Sequence, residues 1–217
     1  MKKLVIFDLD GTLLNTIADL AASTNHALAA NGYPTHPTEE YRFFVGNGIN
    51  KLFERALPEG EKTEANVLKI RQHFIPYYDV HCVDLTKPYP GIPELLRDLR
   101  DQNVQVAVAS NKYDAAVQKI IHHYFGDIDF VAIEGQKEGV NVKPDPSVVF
   151  SILSQARVPK REVLYVGDSG VDMETARRAC VDSVGVTWGF RPEKELVEYY
   201  AGTIIHQPGA ILSLIEN

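Results

Sequence analysis

The chain has 217 residues, 45% of them hydrophobic and 24% charged, which is enough for one substantial core and a second small module. Its formal net charge of -7 and the lack of any Lys/Arg run argue against a nucleic-acid partner, because phosphate backbones are held by clustered cations. A small anionic substrate stays open, since overall charge says little about a local pocket. The two cysteines, Cys82 and Cys180, fit neither a disulfide framework nor a Cys-x-x-Cys motif and point to a reducing, cytoplasmic setting. The first apolar run ends at Asp8, too soon for a signal peptide, and no membrane span follows.

Leu4 to Phe7 is a short continuous apolar run of the kind that forms a strand buried on both faces. Similar runs recur at Val104 to Ala109, Phe130 to Ile133, Val163 to Val166, Val184 to Val186 and Thr203 to Ile205. Between them lie helical patterns, such as Leu95, Leu96 and Leu99, then Val117, Ile120, Ile121 and Tyr124, then Val149, Ile152, Leu153 and Ala156. The alternation predicts an α/β fold, a parallel sheet with helices on both faces. From about Thr16 to Asp84 the rhythm breaks. Helical spacing (Ile17, Leu20, Ala21, Thr24 and Leu28, then Ile49, Leu52, Phe53 and Ala56) continues there without a convincing strand. Residues 1–15 and 85–217 are therefore expected to form the core, with 16–84 as a small inserted all-helical cap. Pro88-Tyr89-Pro90-Gly91 marks the return, and Pro93 suits the first turn of the next helix.

In an open parallel α/β sheet, loops leaving the C-terminal strand ends meet along one edge, where ligands bind. Asp8 and Asp10 follow the first run, Ser110 and Asn111 the second, Lys143 the loop after the third, and Asp168 and Asp172 the fourth. Each motif is ambiguous alone. Asp8-Leu9-Asp10-Gly11 also reads as a turn or a calcium loop, although Asp19 stands at the twelfth position where that loop has Glu, Ser110 as a helix cap, and Lys143 as a solvated lysine. Gly167-Asp168-Ser169-Gly170 also suits strand-to-helix capping, and its likeness to a serine-protease nucleophile segment fails on the β/α context. The seven histidines show no metal-site spacing, and Trp188 reads as core.

Taken in order, Asp8-Leu-Asp10-Gly-Thr12, Ser110-Asn111, Lys143-Pro and Gly167-Asp168-Ser-Gly-Val-Asp172 resemble the four motifs of the haloacid dehalogenase superfamily of phosphohydrolases, over nearly the whole chain. The resemblance implies a Rossmann-like core, a cap that closes over the site, and a Mg²⁺ ion held by Asp8, the Asp10 backbone carbonyl and Asp168. It makes Asp8 the nucleophile and Asp10 the proton-transfer group, with Thr12, Ser110, Asn111 and Lys143 around the phosphoryl group. Asp172 is expected to orient a water or Lys143 rather than touch the metal. The chemistry asks for such a set, because a carboxylate approaching a phosphate dianion is repelled unless cations offset both charges.

Val45-Gly46-Asn47-Gly48-Ile49 is either an anion-binding turn, with Asn47 on the substrate, or a plain helix entry. With Lys51 to Leu57 and Gly185-Val-Thr-Trp-Gly189 it resembles the phosphoglycolate phosphatase branch, while Cys180 and Phe190-Arg191-Pro192 depart from it, small residues such as Gly being common there. Lys51 and Arg55 either meet an acidic substrate tail or form a solvated helix face. The expected partner is a small phosphorylated metabolite, best matched by 2-phosphoglycolate, with no nucleic acid and no membrane. A sugar phosphomutase, a pyrophosphatase and a phospho-receiver signalling domain are the alternatives that combine similar groups.

Overall fold

The computed structural model describes residues 1–216. In chain order the strands are β1 (Leu4–Phe7), β2 (Leu14–Asn15), β3 (Lys87–Pro88), β4 (Gln105–Tyr113), β5 (Phe130–Gln136), β6 (Val163–Gly167), β7 (Asp182–Val186) and β8 (Thr203–Ile205). The helices are α1 (Ile17–Ala30), α2 (Tyr41–Phe44), α3 (Ile49–Ala56), α4 (Glu64–His81), α5 (Ile92–Asp101), α6 (Asp114–Phe125), α7 (Ser147–Ala156), α8 (Gly170–Ala179), α9 (Glu193–Glu198) and α10 (Ile211–Ile215).

Six strands form one parallel sheet in the order β5-β4-β1-β6-β7-β8. The four residues of β1 are fully buried and alternate between the faces. Leu4 and Ile6 pack with Val149 and Ile152 of α7 and Ala176 of α8, whereas Val5 and Phe7 pack with Leu95 and Leu96 of α5 and Val117 and Ile120 of α6. Burying each such side chain contributes about 1.5–3 kcal/mol, so both faces hold β1 in place. The chain winds from β1 outward to β4 and β5, then crosses to β6 and winds the other way. The C-terminal end of β1, between β4 and β6, is therefore the switch point of the sheet.

Between β2 and β3 the chain forms α1 to α4. α4 lies against α1 and α3, with Phe53 edge-on to Phe74 and Phe74 stacked on Tyr78, each at 5.0 Å between ring centroids. The outgoing and returning strands, β2 and β3, pair antiparallel, Leu14 with Pro88 and Asn15 with Lys87. Beside them the buried Asp19 carboxylate accepts hydrogen bonds from the Leu85 and Thr86 amides at 2.8–3.1 Å. That engagement removes Asp19 from the calcium-loop alternative.

Two local features differ from the sequence expectation. β4 runs to Tyr113 rather than ending at Ala109. Its pairing with β5 shifts there, from Ala109↔Glu134 to Tyr113↔Gln136, so Ser110, Asn111 and Lys112 form a bulge against the single residue Gly135. A bulge of this kind bends the strand and re-aims its side chains beside a site. Cys180, unexpected where small residues are common, ends α8 in the left-handed conformation at φ 57. This helix-end geometry favours glycine. Among the described residues, no helix is long and apolar enough to cross a membrane.

Candidate active site

Asp8 begins the turn that leaves β1, its amide still bonded to the Val166 carbonyl of β6 at 2.9 Å. Its Oδ1 accepts a hydrogen bond from Lys143 Nζ at 2.9 Å, while Oδ2 takes none from any described residue. Lys143 is buried and spends its three N–H groups on Asp8, Asp172 Oδ1 at 2.7 Å and the Ala109 carbonyl at 2.9 Å. Burial alone would lower its pKa, but the Asp172 and Asp8 carboxylates outweigh that and hold it well above the ordinary value.

The carboxylates of Asp8, Asp168 and Asp172 are all buried and offer ligand atoms within 4.8 Å of one another. Burial, then repulsion from Asp172, pushes Asp8 up to about 7 despite Lys143. Burial, Asp172 and Asp8 raise Asp168 well above the usual carboxylate range. Asp172 is spent on protein partners, since Oδ1 meets Lys143 and Tyr165 and Oδ2 accepts from the Ser169 amide at 3.2 Å and hydroxyl at 2.6 Å. Ser169 caps α8 in this way, so the capping and site readings of this motif hold together. Among the described residues Asp168 is bonded only through Oδ2, which accepts from the Phe190 amide at 2.7 Å. Gly11, at φ +89, lies where any Cβ would collide with the Asp168 carboxylate, so both its backbone angle and this approach require glycine.

Asp10 forms a two-pronged ion pair with Lys112 Nζ, at 2.8 and 2.9 Å, and accepts the Thr16 hydroxyl at 2.6 Å. Its backbone carbonyl takes no hydrogen bond from any described residue. Four carboxylates thus face two ammonium groups. A divalent cation would offset the difference, and one carboxylate oxygen of Asp8, the Asp10 carbonyl and Asp168 Oδ1 are oxygen ligands of the kind Mg²⁺ takes.

These groups line a small cavity of about 60 Å³. Asp8, Asp10, Ser110, Asn111, Lys143 and Asp168 meet there as expected. Thr12 does not; it is buried outside the cavity lining, its hydroxyl without a partner and its carbonyl bonded to the indole of the half-buried Trp188. Nor does Asn47, which lies in an adjoining crevice with its Oδ1 on Arg55 at 2.7 Å. Arg55 also bonds the Phe44 carbonyl, and Lys51 pairs with Glu54 on the exposed face. Asn111 is a clamp. Its amide group donates to the Gly46 and Lys143 carbonyls and accepts from the Lys143 amide, so any hydrogen bond to a leaving group requires one of these to break. Lys112, Tyr78 and Arg191 line the cavity and were not foreseen. For Lys112 a signal existed, a charge set directly after Ser110-Asn111.

An open carboxylate beside a buried ammonium, with further carboxylates suited to a cation, at the switch point of a parallel sheet, defines an enzyme site for an anionic substrate. The haloacid dehalogenase-like hydrolase family matches residues 5–186, and the chain belongs to that family. It is 34% identical over 194 residues to the phosphoglycolate phosphatase of Haemophilus influenzae (strain 86-028NP), covering 87% of each chain. To that of Mannheimia succiniciproducens it is 29% identical, covering 98% of each. A crystal structure from Lactobacillus delbrueckii subsp. bulgaricus, of a candidate phosphoglycolate phosphatase, superposes with a TM-score of 0.92 at 33% identity over 99% of both chains. The chain is thus a phosphatase of this family, similar to phosphoglycolate phosphatases, and such enzymes generally use Mg²⁺.

Proposed function

We propose that the protein hydrolyses a small phosphomonoester, 2-phosphoglycolate, through a phosphoryl intermediate on Asp8. The observation that carries this is the free Oδ2 of Asp8, a carboxylate oriented through Oδ1 by the buried ammonium of Lys143. Mg²⁺, held by Asp8, Asp168 and the Asp10 carbonyl, would supply positive charge that offsets the carboxylates and the phosphate. Asp8 attacks phosphorus, the ester P–O bond breaks, and Asp10 gives a proton to the leaving alkoxide. A water then gives its proton to Asp10 and attacks the same phosphorus, the bond to Asp8 breaks, and inorganic phosphate leaves. Ser110 and Lys143 hold the phosphoryl oxygens, while Asp172 keeps Lys143 aimed.

The substrate choice rests on the relatives and on the size of the cavity, which suits a phosphate with a short tail. The segment from α1 to α4, read as a cap, contributes Leu20 of α1, Val45 and Gly46 of the α2–α3 loop, and Phe74 and Tyr78 of α4 to the walls and would shut out bulk water. A panel of phosphate esters including 2-phosphoglycolate, pyrophosphate and sugar phosphates, with and without Mg²⁺, tests the proposal. Preferential Mg²⁺-dependent release of phosphate from phosphoglycolate is expected, and Asp8→Asn should lower kcat by on the order of 10³, roughly 4 kcal/mol, with the fold intact. A preference below tenfold among the esters removes the substrate assignment.

A further inference from the structure

Three cations line the catalytic cavity, Lys112, Lys143 and Arg191. Lys143 is committed to Asp8 and Asp172, and Lys112 to Asp10. Arg191 differs. Among the described residues the one carboxylate within ion-pair distance is Glu195, at 3.9 Å from Nε and beyond hydrogen-bond reach; Asp168 feels the Arg191 charge from further off, and the one hydrogen bond of the guanidinium runs from Nη2 to the Val45 carbonyl at 2.9 Å. A guanidinium has five N–H donors in a planar fork that matches a carboxylate, so most of this one is unspent although the side chain is only 15% exposed.

Its position is fixed. Arg191 follows β7 in a loop pinned on two sides, by the Trp188 indole on the Thr12 carbonyl and by the Phe190 amide on Asp168. The residue that carries the fork is thus one peptide from a group bonded to the candidate metal ligand. Arg191 also stands on the wall shared by the small catalytic cavity and an open crevice of about 620 Å³, together with Gly46 and Ser169. Arg55 lies close by in the crevice, where burial and then the charge of Arg191 pull its pKa below the ordinary value. Two crowded guanidinium groups, neither in a close ion pair with a carboxylate, thus stand on a crevice wall that also carries Lys194, Glu195 and Glu198.

We propose that Arg191 is the specificity-determining residue, its guanidinium taking the second anionic group, a carboxylate, of a small phosphate ester whose phosphoryl group sits at Asp8. This rests on the phosphomonoesterase reading above and adds to it the group that recognises the tail. An ester with a neutral tail leaves the fork unpaired and gains nothing from it.

Binding measured by calorimetry in an Asp8→Asn background, with Mg²⁺ present, reads recognition apart from turnover. The two probes are 2-phosphoglycolate and 2-hydroxyethyl phosphate, equal in length but different in tail charge. Adding Arg191→Gln should raise the Kd for phosphoglycolate by about 30-fold or more, the scale of losing one partner of a desolvated charge pair, and change that for hydroxyethyl phosphate by less than about threefold. Arg191→Lys, which keeps the charge without the fork, should fall between. Equal weakening of both ligands assigns Arg191 to holding Val45 in place and overturns the proposal, as does no change or no binding of either probe. If Arg191→Gln fails to fold, Arg191→Lys decides alone, and an unchanged preference for the charged tail overturns the proposal. Wild-type turnover is read separately. Tail selection lost in Arg191→Gln while the wild type prefers another anionic ester keeps the inference and removes only phosphoglycolate.

Discussion

Replacing Lys143 by methionine removes the ammonium that pairs with Asp8 and Asp172 in the Asp8, Asp168 and Asp172 cluster while keeping an unbranched side chain of similar length. The ammonium makes charge-assisted hydrogen bonds to Asp8 and Asp172 and a third to the Ala109 carbonyl, all buried. Each charge-assisted bond contributes about 1.5–3 kcal/mol, and removing one partner of a buried pair typically costs about 3–5 kcal/mol. A loss of about 4 kcal/mol is expected at pH 8 without added metal. Protons can relieve part of it. Asp8 already titrates near 7 in the folded protein, above the 3.8 of the free side chain, and loss of Lys143 raises it further. The folded state then holds a proton that the unfolded chain releases, so stability falls as pH rises from about 4 through the folded pKa. Each unit of added shift is worth about 1.4 kcal/mol. Urea unfolding of both proteins in EDTA at pH 6 and pH 8 measures this. The penalty should be at least about 1 kcal/mol smaller at pH 6. A penalty below about 1 kcal/mol at pH 8, or one equal at both pH values, would refute the electrostatic account of the cluster.

Gly11→Ala should destabilise by about 1–3 kcal/mol from the left-handed backbone angle alone, and its methyl group must push Asp168 aside. Thermal unfolding should show the lower Tm and calorimetry a weaker uptake of Mg²⁺. Asn111→Ala strands the buried Lys143 amide and frees the Gly46 carbonyl of the α2–α3 loop; about 1–3 kcal/mol is expected. Steady-state kinetics should show kcat falling more than KM rises, because Lys143 loses its aim.

The strands and the first ring of charged residues were legible because buried parallel strands are continuous apolar runs, and the site lies where those runs stop. β1 and β8 match their runs residue for residue, and β6 extends one residue further, to Gly167. What escaped depends on tertiary contacts. Lys112 enters the cavity through the bulge in β4, which no alternation pattern announces. Phe74 and Tyr78 come from α4, a helix whose interior holds Pro76 and whose exposed Leu68 and Val80 blur the buried stripe of Val67, Ile70, Phe74 and Tyr78. Arg191 stood out as a departure from the branch pattern, but only the fold shows that its loop returns to Asp168 and Val45. Asn47 illustrates the opposite case. Its Gly-Asn-Gly setting has the composition of an anion loop, yet a neighbouring arginine takes the side chain.

The central claim, that Asp8 carries the phosphoryl group, is tested most directly by acid-quenching the enzyme within one turnover of 2-phosphoglycolate and Mg²⁺ and mapping the peptides by mass spectrometry. The peptide containing Asp8 should gain the mass of one phosphoryl group, absent in Asp8→Asn and lost on treatment with hydroxylamine. Full turnover with no modified peptide at any quench time, or with the phosphoryl group on another residue, would contradict it.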